Sequence, residues 1–266
     1  MKPIIFIGAE RVGKAVLNAL LKAKKNIVAV FTAHSSLRNK IADYADFSEL
    51  EEKYPKINFH YILNSRDTLV IQKIKYYMPE VIFVISWSQI IPTEILRIPS
   101  KGVIGLHYSL LPNRRGGAPL NWAIIDGLRE TGITLFYMDE GIDTGDIIAQ
   151  RKLHIRYKDT VNDLLDKIKK IAPSIILKNF DTILRGDAPR IKQDEQKATY
   201  TPRRTPKDSA IDWSLNLEKI YNFIRALVPP YPSAFIISSN KKVLFTSVKK
   251  INSKKLKIEG YIEVDE

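Results

Sequence analysis

The sequence predicts an α/β protein with a doubly wound, mostly parallel sheet and a small β-rich subdomain at the C-terminus. Strand-length apolar patterns alternate with helical patterns through residues 1–185, as they do in doubly wound sheets. Residues 81–86 are apolar almost throughout, which is typical of a strand buried on both faces. The last part of the chain holds apolar runs separated by polar turns, which predicts a small β unit similar to a truncated OB fold.

Each element of the large domain is predicted from its local pattern. The parallel strands are predicted at residues 4–8, 27–32, 58–62, 81–86 and 103–107. Apolar side chains recur at helical spacing in residues 13–22 and 67–78, between these strands. Strands at 132–138 and 147–155 and a long amphipathic helix at 160–184 complete a Rossmann-like domain.

The chain divides into three predicted regions. Residues 1–185 form the large domain. Residues 186–206 are polar, contain three prolines and are predicted to be a linker. Residues 207–266 form the β-rich subdomain, in which a short helix at 216–227 precedes the strands.

Composition limits the classes of function. The net charge is +13, from 42 Lys and Arg against 29 Asp and Glu, which favours an anionic partner, although evenly scattered lysines account for it equally well. Without cysteine, neither a disulfide nor a thiolate metal site can form, and we predict no bound metal. No apolar run approaches the ~20 residues of a membrane span, and no signal-peptide pattern is present, so we expect a cytoplasmic protein without a membrane partner.

The first strand is followed by a glycine loop, Gly8-Ala9-Glu10-Arg11-Val12-Gly13. A dinucleotide fingerprint requires a glycine where Glu10 stands, because the backbone must approach a pyrophosphate closely. Glu10 therefore argues against NAD binding. The helix that follows can still receive an anionic part of a substrate at its N-terminus, so Gly8 and Glu10 are candidate substrate contacts.

A histidine and an aspartate are predicted to lie on neighbouring loops at the ends of strands. His107 ends the fifth strand, where open α/β sheets bind ligands, and a stiff cationic loop with Pro112, Arg114 and Arg115 follows it. Asp143 lies on a glycine-punctuated loop between the next two strands. Such a pair can act in acid–base catalysis, although a capping histidine and a turn aspartate are each common by themselves.

Two separated motifs resemble the signature of the 10-formyltetrahydrofolate-dependent formyltransferases. Residues 105–119 read GLHYSLLPNRRGGAP and residues 137–150 read YMDEGIDTGDIIAQ. The family pattern is Asn-x-His-x-Ser-Leu-Leu-Pro-x-x-Arg-Gly, followed by Gly-x-Asp-x-Gly. The C-terminal stretch around residues 204–235 also resembles the family, so the likeness covers nearly the whole chain.

The resemblance implies transfer of a formyl group from 10-formyltetrahydrofolate to an amine. His107 would handle the amine proton and Asp143 would orient the imidazole. Gly105 occupies the position of the family's catalytic asparagine, whose amide helps to hold the formyl oxygen. Three alternatives stay open. Either a backbone N–H, a water or the amide of Asn121 takes the place of the asparagine amide, or the enzyme is slow, or the protein binds its ligands without catalysing the transfer.

The resemblance also implies two sets of binding residues. The pterin slot would be formed by Ser86, Trp87, Gln89, Ile90, Ile91, Met138, Asp139 and Asp143. The acceptor would contact Gly8, Glu10, Ser109, Leu111, Pro112, Arg114, Arg115 and Asn121, with a diphosphate meeting the two arginines and the first βα turn.

The pattern is most similar to the sugar-nucleotide N-formyltransferases of glycan biosynthesis, which predicts an amino-sugar nucleotide as the acceptor. Methionyl-tRNA formyltransferases carry a basic insertion in the first domain and a longer C-terminal barrel. Residues 33–60 here contain more acidic than basic side chains, and the tail is short. Methionyl-tRNA is the alternative acceptor, and a non-catalytic folate- or nucleotide-binding relative is the second alternative. The sequence does not decide between a monomer and a homodimer.

Overall fold

The computed structural model describes residues 3–238, 240–252 and 254–265. Its strands are β1 (Ile4–Ile7), β2 (Ile27–Ala33), β3 (Asn58–Ile62), β4 (Val81–Val84), β5 (Val103–His107), β6 (Arg115–Gly116), β7 (Glu130–Tyr137), β8 (Ile147–His154), β9 (Tyr200–Thr201), β10 (Ala234–Ser238), β11 (Lys241–Asn252) and β12 (Lys255–Asp265). Its helices are α1 (Arg11–Lys22), α2 (Ser48–Lys53), α3 (Thr68–Tyr76), α4 (Thr93–Leu96), α5 (Pro119–Ile125), α6 (Val161–Arg185) and α7 (Leu217–Ala226).

The large sheet has seven strands in the order β3-β2-β1-β4-β5-β7-β8. Strands β1 to β5 run parallel to one another, whereas β7 is antiparallel to β5 and β8 is antiparallel to β7. A mostly parallel sheet followed by a small antiparallel one confirms the predicted fold class. Strand β1 lies between β2 and β4, and β4 lies beside β5. Because these strands are parallel, the carboxyl ends of β1, β4 and β5 lie side by side at one edge of the sheet, and ligands bind along such edges.

Both faces of the sheet are covered, which explains the continuous apolar strands. In β1, Ile4 and Phe6 point into the cluster under α1 and α6, while Ile5 and Ile7 point into the cluster under α3. All four side chains are at most 1% exposed. Two-sided burial favours apolar residues at successive positions rather than alternation.

The ends of two helices differ slightly from the predictions for local reasons. Asp67 is the N-cap of α3 rather than its first residue, because its side chain accepts a hydrogen bond from the backbone N–H of Leu69. Thr160 and Asp163 form a capping box at the start of α6, and Gly186 ends the helix in the left-handed conformation.

The smaller sheet, β10-β11-β12, is antiparallel, and α7 packs between it and the large domain. Asn121 on α5 donates a hydrogen bond from Nδ2 to the carbonyl of Ala226 on α7 at 2.7 Å. None of the helices within the described ranges has the length and apolar character to cross a membrane.

Residues 186–206, expected to be a linker, form backbone hydrogen bonds with the loop that follows β5. Strand β9 pairs with β6, and the backbone N–H of Arg115 donates to the carbonyl of Thr199 at 2.8 Å. A short 3₁₀ helix, Glu195–Lys197, lies just before β9. This segment therefore packs against the loop that follows the predicted catalytic residue His107.

Candidate active site

His107 and Asp143 lie together at the carboxyl edge of the large sheet. His107 is buried at the end of β5, and its Nε2 lies 2.7 Å from the carbonyl oxygen of Arg114. Since a carbonyl only accepts, Nε2 carries the hydrogen in this bond. His107 Nδ1 lies 3.4 Å from Asp143 Oδ2, a longer separation than the 2.7–3.2 Å of a good hydrogen bond. Nδ1 is thus the ring nitrogen that can exchange a proton beside Asp143.

The loop of Asp143 is held by two other segments of the chain. Asp143 has φ 55°, a left-handed conformation, and its Oδ2 accepts a hydrogen bond from the backbone N–H of Gly116 at 2.8 Å. Gln193 donates from Nε2 to the carbonyls of Asp143 and Gly145, both at 2.8 Å. A backbone donor therefore orients the carboxylate beside His107, and a side chain of the 186–206 segment fixes the backbone of its loop.

Arg115, predicted to meet a substrate diphosphate, has a structural role instead. Its side chain has no exposed surface. Its N–H groups donate to Gln193 Oε1, to both carboxylate oxygens of Glu195 and to the hydroxyl of Tyr200, at 2.7–3.0 Å. All five guanidinium hydrogens are occupied, so no donor is left for a ligand. Arg115 instead fixes Gln193, which in turn holds the loop of Asp143.

Two further predicted acceptor contacts brace the loop after β5. Ser109 is buried, and its hydroxyl donates to the carbonyl of Asn113 at 2.6 Å. Leu111 is buried, and its backbone N–H donates to the hydroxyl of Thr134 at 3.1 Å. Neither side chain has surface to offer a substrate. Pro112, which follows a cis peptide bond, is half-buried and keeps some exposed surface.

Among the predicted acceptor contacts, Arg114 has a guanidinium group that is only partly buried near the catalytic pair. Its guanidinium forms an ion pair with Asp126 at 2.7 Å, and its side chain is 18% exposed. A ligand anion would have to compete with Asp126 for this group. The predicted contact at Arg114 stays a prediction.

Asn121 cannot replace the family's asparagine where it stands. It is 1% exposed within the interface between α5 and α7, and its Nδ2 is already bonded to Ala226. Its Oδ1, which is buried, finds no partner within the described residues. The amide of Asn121 therefore stabilises the contact between the two helices.

The space beside Gly105 is filled by neighbouring side chains. Gly105 pairs with Phe136 across the β5–β7 ladder. A Cβ at Gly105 would lie 2.8 Å from Phe136 Cε1 and 3.0 Å from Met138 Cγ. The ring of Phe136 covers the glycine, and the volume that an asparagine side chain would enter is occupied.

The predicted pterin slot contains both free apolar surface and an unsatisfied donor. Ile90 is 67% exposed and Ile142 is 60% exposed, on the two loops that face the slot. The indole N–H of Trp87 is buried without a hydrogen-bond partner among the described residues. The exposed apolar side chains suit the faces of a flat ligand, whereas the indole N–H is itself buried.

The other predicted slot residues have partners within the protein. The amide of Gln89 bridges Ser65 and the carbonyl of Leu63, and Ile91 is buried in the core. Asp139 Oδ1 accepts from the backbone N–H of Gly141 and the hydroxyl of Thr144, which shapes the loop. The remaining slot residues lie on the loop rims: Ser86, whose hydroxyl is bonded to Tyr108, and Met138, which packs against Phe136.

The first βα turn brings an acidic side chain near two phenolic side chains. A Cβ at Gly8 would lie 2.5 Å from the carbonyl oxygen of Ile85, so only glycine allows β1 and β4 to approach here. Burial, reinforced by the negative charge of Asp43, raises the pKa of Glu10 to about 8. Burial first, and then the charge of Glu10, raises the pKa of Tyr108 and of Tyr231. Glu10 near neutral pH is thus largely uncharged, which removes one repulsion against an anionic substrate.

The sequence patterns missed three of the residues that shape the site. Gln193 lies in a polar stretch that gave no signal beyond its resemblance to a linker. Phe136 belongs to an ordinary apolar strand, and only its pairing with a glycine in the ladder shows its position. Tyr231 belongs to the C-terminal subdomain, and the tertiary fold brings it close to Glu10 in the first βα turn.

Comparison with known proteins assigns the family. The formyl transferase family model matches residues 1–179, and the model of the formyl transferase C-terminal domain matches residues 203–265. The chain is 34% identical to the methionyl-tRNA formyltransferase of Clostridioides difficile over 97% of this chain and 84% of that protein. It is 33% identical to the methionyl-tRNA formyltransferase of Syntrophomonas wolfei, over 98% of this chain and 84% of that protein.

Solved structures agree with this assignment. The methionyl-tRNA formyltransferase from Clostridium thermocellum superposes with a TM-score of 0.72 at 25% identity, covering both chains completely. A 4-N formyltransferase from Francisella tularensis shares the fold, with a TM-score of 0.70 at 22% identity over 90% of this chain and 93% of that one. The chain therefore belongs to the formyl transferase family, and it is a formyltransferase that uses 10-formyltetrahydrofolate as its co-substrate.

Proposed function

We propose that this formyltransferase transfers the formyl group to the amino group of methionyl-tRNA. The observation that carries this proposal is a set of lysines without ionic partners on the hairpin of β11 and β12. Relatives at 33–34% identity over almost the whole chain are methionyl-tRNA formyltransferases, which supports the same acceptor. The predicted sugar-nucleotide acceptor becomes the second candidate.

The hairpin lysines form an unneutralised patch. Lys249 pairs directly with Lys257 across the ladder, and Lys254 and Lys255 lie at the turn between the strands. All four are exposed, and none forms an ion pair with another described residue. Like charges directly opposite each other destabilise a hairpin, so their placement favours a polyanionic partner that neutralises them.

An RNA backbone is a suitable partner for this patch. Phosphate contacts from lysines position a nucleic acid without reading its sequence, and they make binding sensitive to salt. Tyr261, 60% exposed on β12, adds an aromatic face on which a base can stack. The patch would hold the body of the RNA while its aminoacyl end reaches His107.

The catalytic roles follow from the geometry of the site. The attacking amine must lose a proton, and Nδ1 of His107 is the nitrogen not engaged by the Arg114 carbonyl. Asp143 beside it would stabilise the imidazolium that forms when the proton is taken up. The proton would then pass to the folate nitrogen as the formyl group leaves. The carboxylate accepts a hydrogen bond from Gly116, and Gln193 holds the backbone of its loop, so it would be arranged for this role before substrate binds.

One observation favours the amino-sugar nucleotide. The segment between β2 and β3, where a basic insertion would contact RNA, has more acidic than basic side chains, and several of its charges are in ion pairs. Arg38 lies 3.7 Å from Asp46, and Lys14 of α1 lies 3.0 Å from Glu49. This segment carries no net positive charge for RNA, so recognition of RNA would depend on the hairpin.

A single assay separates the two acceptors. The protein is incubated with 10-formyltetrahydrofolate and either methionyl-tRNA or a panel of UDP- and dTDP-linked amino sugars, and the products are measured by mass spectrometry. We expect a gain of one formyl group on methionyl-tRNA. Formylation of a sugar nucleotide without formylation of methionyl-tRNA would contradict the proposed acceptor.

A pair of variants tests the hairpin. Lys249→Glu with Lys257→Glu should lower kcat/KM for methionyl-tRNA at least tenfold while leaving KM for the formyl donor unchanged, because the lysines contact only the RNA. The matched control is Lys53→Glu with Lys56→Glu, which makes the same charge change on exposed residues before β3, at the far edge of the large sheet. Equal losses in both pairs would show a general effect of charge and not a binding surface.

A further inference from the structure

A second cleft lies between the two parts of the chain, apart from the catalytic pair. Its volume is about 840 Å³, and it is bounded by the turn after α5, the end of β8 and the N-terminal half of α7. None of its lining residues belongs to the predicted catalytic, folate or acceptor sets. The catalytic chemistry therefore leaves this cleft without a role.

Three cations without partners line the cleft from three different elements. Arg129 comes from the turn before β7, Arg156 follows β8, and Lys219 lies in the first turn of α7. The backbone N–H of Ile155 donates to the carbonyl of Arg129 at 2.9 Å, which brings the two arginine positions side by side. All three side chains are exposed, and within the described part of the chain none of them forms an ion pair or a side-chain hydrogen bond.

The acidic residues of the cleft do not cancel this charge. Asp126 is already paired with Arg114 at 2.7 Å. Glu218 accepts a hydrogen bond from the hydroxyl of Tyr157 at 3.1 Å. Three free cations thus face two acidic groups that already have partners, so the cleft presents a positive potential to an anion.

Much of the remaining lining is aromatic or apolar, beside Asn216, Asn222 and the buried Arg225. Phe223 and Tyr157 are both half-buried on the walls, and Tyr157 stacks on Tyr221 with ring centroids 5.2 Å apart. Leu128 and Leu215 complete the apolar surface. A pocket that combines aromatic faces with free arginines suits a ligand that has both a flat base and a phosphate.

We infer that this cleft is a second binding site, for a nucleoside phosphate. Arg129, Arg156 and Lys219 surround the phosphate. The base lies against Phe223 and Tyr157. The ion pair between Arg114 and Asp126 connects the cleft to the catalytic loop, because Arg114 supplies the carbonyl that holds His107 and Asp126 lines the cleft. The nucleotide is either part of an RNA chain or free in solution, and the phosphate contacts are the same for both sources. The site does not depend on the identity of the formyl acceptor.

The test is a binding measurement without a formyl donor, so it is independent of formyl transfer. Isothermal titration calorimetry is carried out with UMP, CMP and UDP, and with a 5′-phosphorylated RNA octamer, on the wild type and on Arg129→Ala with Arg156→Ala. We expect saturable binding to the wild type and a Kd at least tenfold higher for the double variant. The slope of log K against log salt should also fall by about one for each phosphate contact that is removed.

Three controls make the outcome decisive. Lys53→Ala with Lys56→Ala removes the same charge elsewhere and should leave the Kd of the nucleotides unchanged. The hairpin pair Lys249→Glu with Lys257→Glu should weaken binding of the octamer only, which separates the two surfaces. Both cleft arginines are exposed, so the double variant should keep its fold. A thermal melt unchanged from that of the wild type would show this.

The probes distinguish the source of the ligand. Tighter binding of the octamer than of any mononucleotide would identify the cleft as part of an RNA track, and the reverse order would identify a free nucleotide. The inference is overturned if no probe binds the wild type saturably, or if the arginine pair and the lysine control weaken binding equally. Neither result would bear on whether methionyl-tRNA is formylated.

Discussion

The replacement Gly105→Asn restores the side chain that the family has at this position, and we expect it to lower activity. The new Cβ would lie 2.8 Å from Phe136 Cε1 and 3.0 Å from Phe136 Cζ and Met138 Cγ. Ordinary contacts of such atoms begin near 3.4 Å. The neighbours are ends of side chains, but Phe136 is only 3% exposed and packs with Leu111 and Ile147, so its ring has little room to move.

The magnitude follows from two opposing effects. Overpacking of a filled core costs about 1–3 kcal/mol, which should appear as a lower free energy of unfolding. A correctly placed amide donor is worth about 10²–10³ in rate at comparable sites, or ~2.7–4 kcal/mol. Because the ring of Phe136 occupies the volume that the amide would enter, we expect the packing cost without the catalytic gain. The value of kcat/KM should therefore fall.

The assay combines urea denaturation with steady-state kinetics on the best acceptor found. Gly105→Ala is the matched control, because it introduces the same Cβ clash without an amide. Adding Phe136→Leu to Gly105→Asn should recover part of the lost stability, since the smaller side chain frees the space. A rise in kcat/KM of tenfold or more in Gly105→Asn alone would refute this reasoning and show that the natural site only lacks its donor.

Three further predictions test the surroundings of the site. Gln193→Ala should lower kcat about tenfold in steady-state kinetics with little change in KM, because the loss of its two hydrogen bonds to the loop of Asp143 costs roughly the free energy of one such bond. The control Gln196→Ala should have no such effect, and equal kcat values for Gln193→Ala and the wild type would remove Gln193 from the site. Glu10 has a pKa of about 8 in the folded protein against an ordinary value of 4.5, so the folded state binds more protons between these values and the free energy of unfolding should fall as pH rises from 5 to 8.5. Glu10→Gln should flatten this dependence in urea titrations, and a wild type whose stability rises over that range would contradict it. Trp87 should report folate binding by a change in tryptophan fluorescence that is lost in Trp87→Phe, and the absence of a saturable signal by fluorescence and calorimetry would argue against the slot.

The strands of the large sheet and helices α1, α3 and α6 were predictable because their burial leaves a clear pattern, whereas the short helices α2, α4 and α5 were not predicted. Residues 81–86 are apolar because β4 is covered on both faces, and the histidine at the end of β5 follows the general rule for ligand sites in open sheets. The pairing of His107 with Asp143 was also predictable, because their strands are neighbours and their loops lie at the same edge.

The roles of individual polar residues could not be predicted in the same way. Arg115 and Arg114 are adjacent in the sequence and chemically identical, yet one is buried under residues 193–200 and the other is partly exposed. That difference depends on a contact between segments about eighty positions apart, which local patterns do not encode. Asn121 illustrates the same point, because its partner lies on a helix of the C-terminal subdomain.

The central claim is that the carboxylate of Asp143 acts with His107 in formyl transfer, and Asp143→Asn tests it most directly. Asparagine tolerates the φ of 55° at this position and still accepts a hydrogen bond from the N–H of Gly116, so the change removes the charge and little else. The measurement is the single-turnover rate of formyl transfer at saturating donor, on the acceptor that the wild type uses best. We predict a loss of about 10²–10⁴ with an unchanged thermal melt. A loss smaller than tenfold in the folded variant would contradict the account.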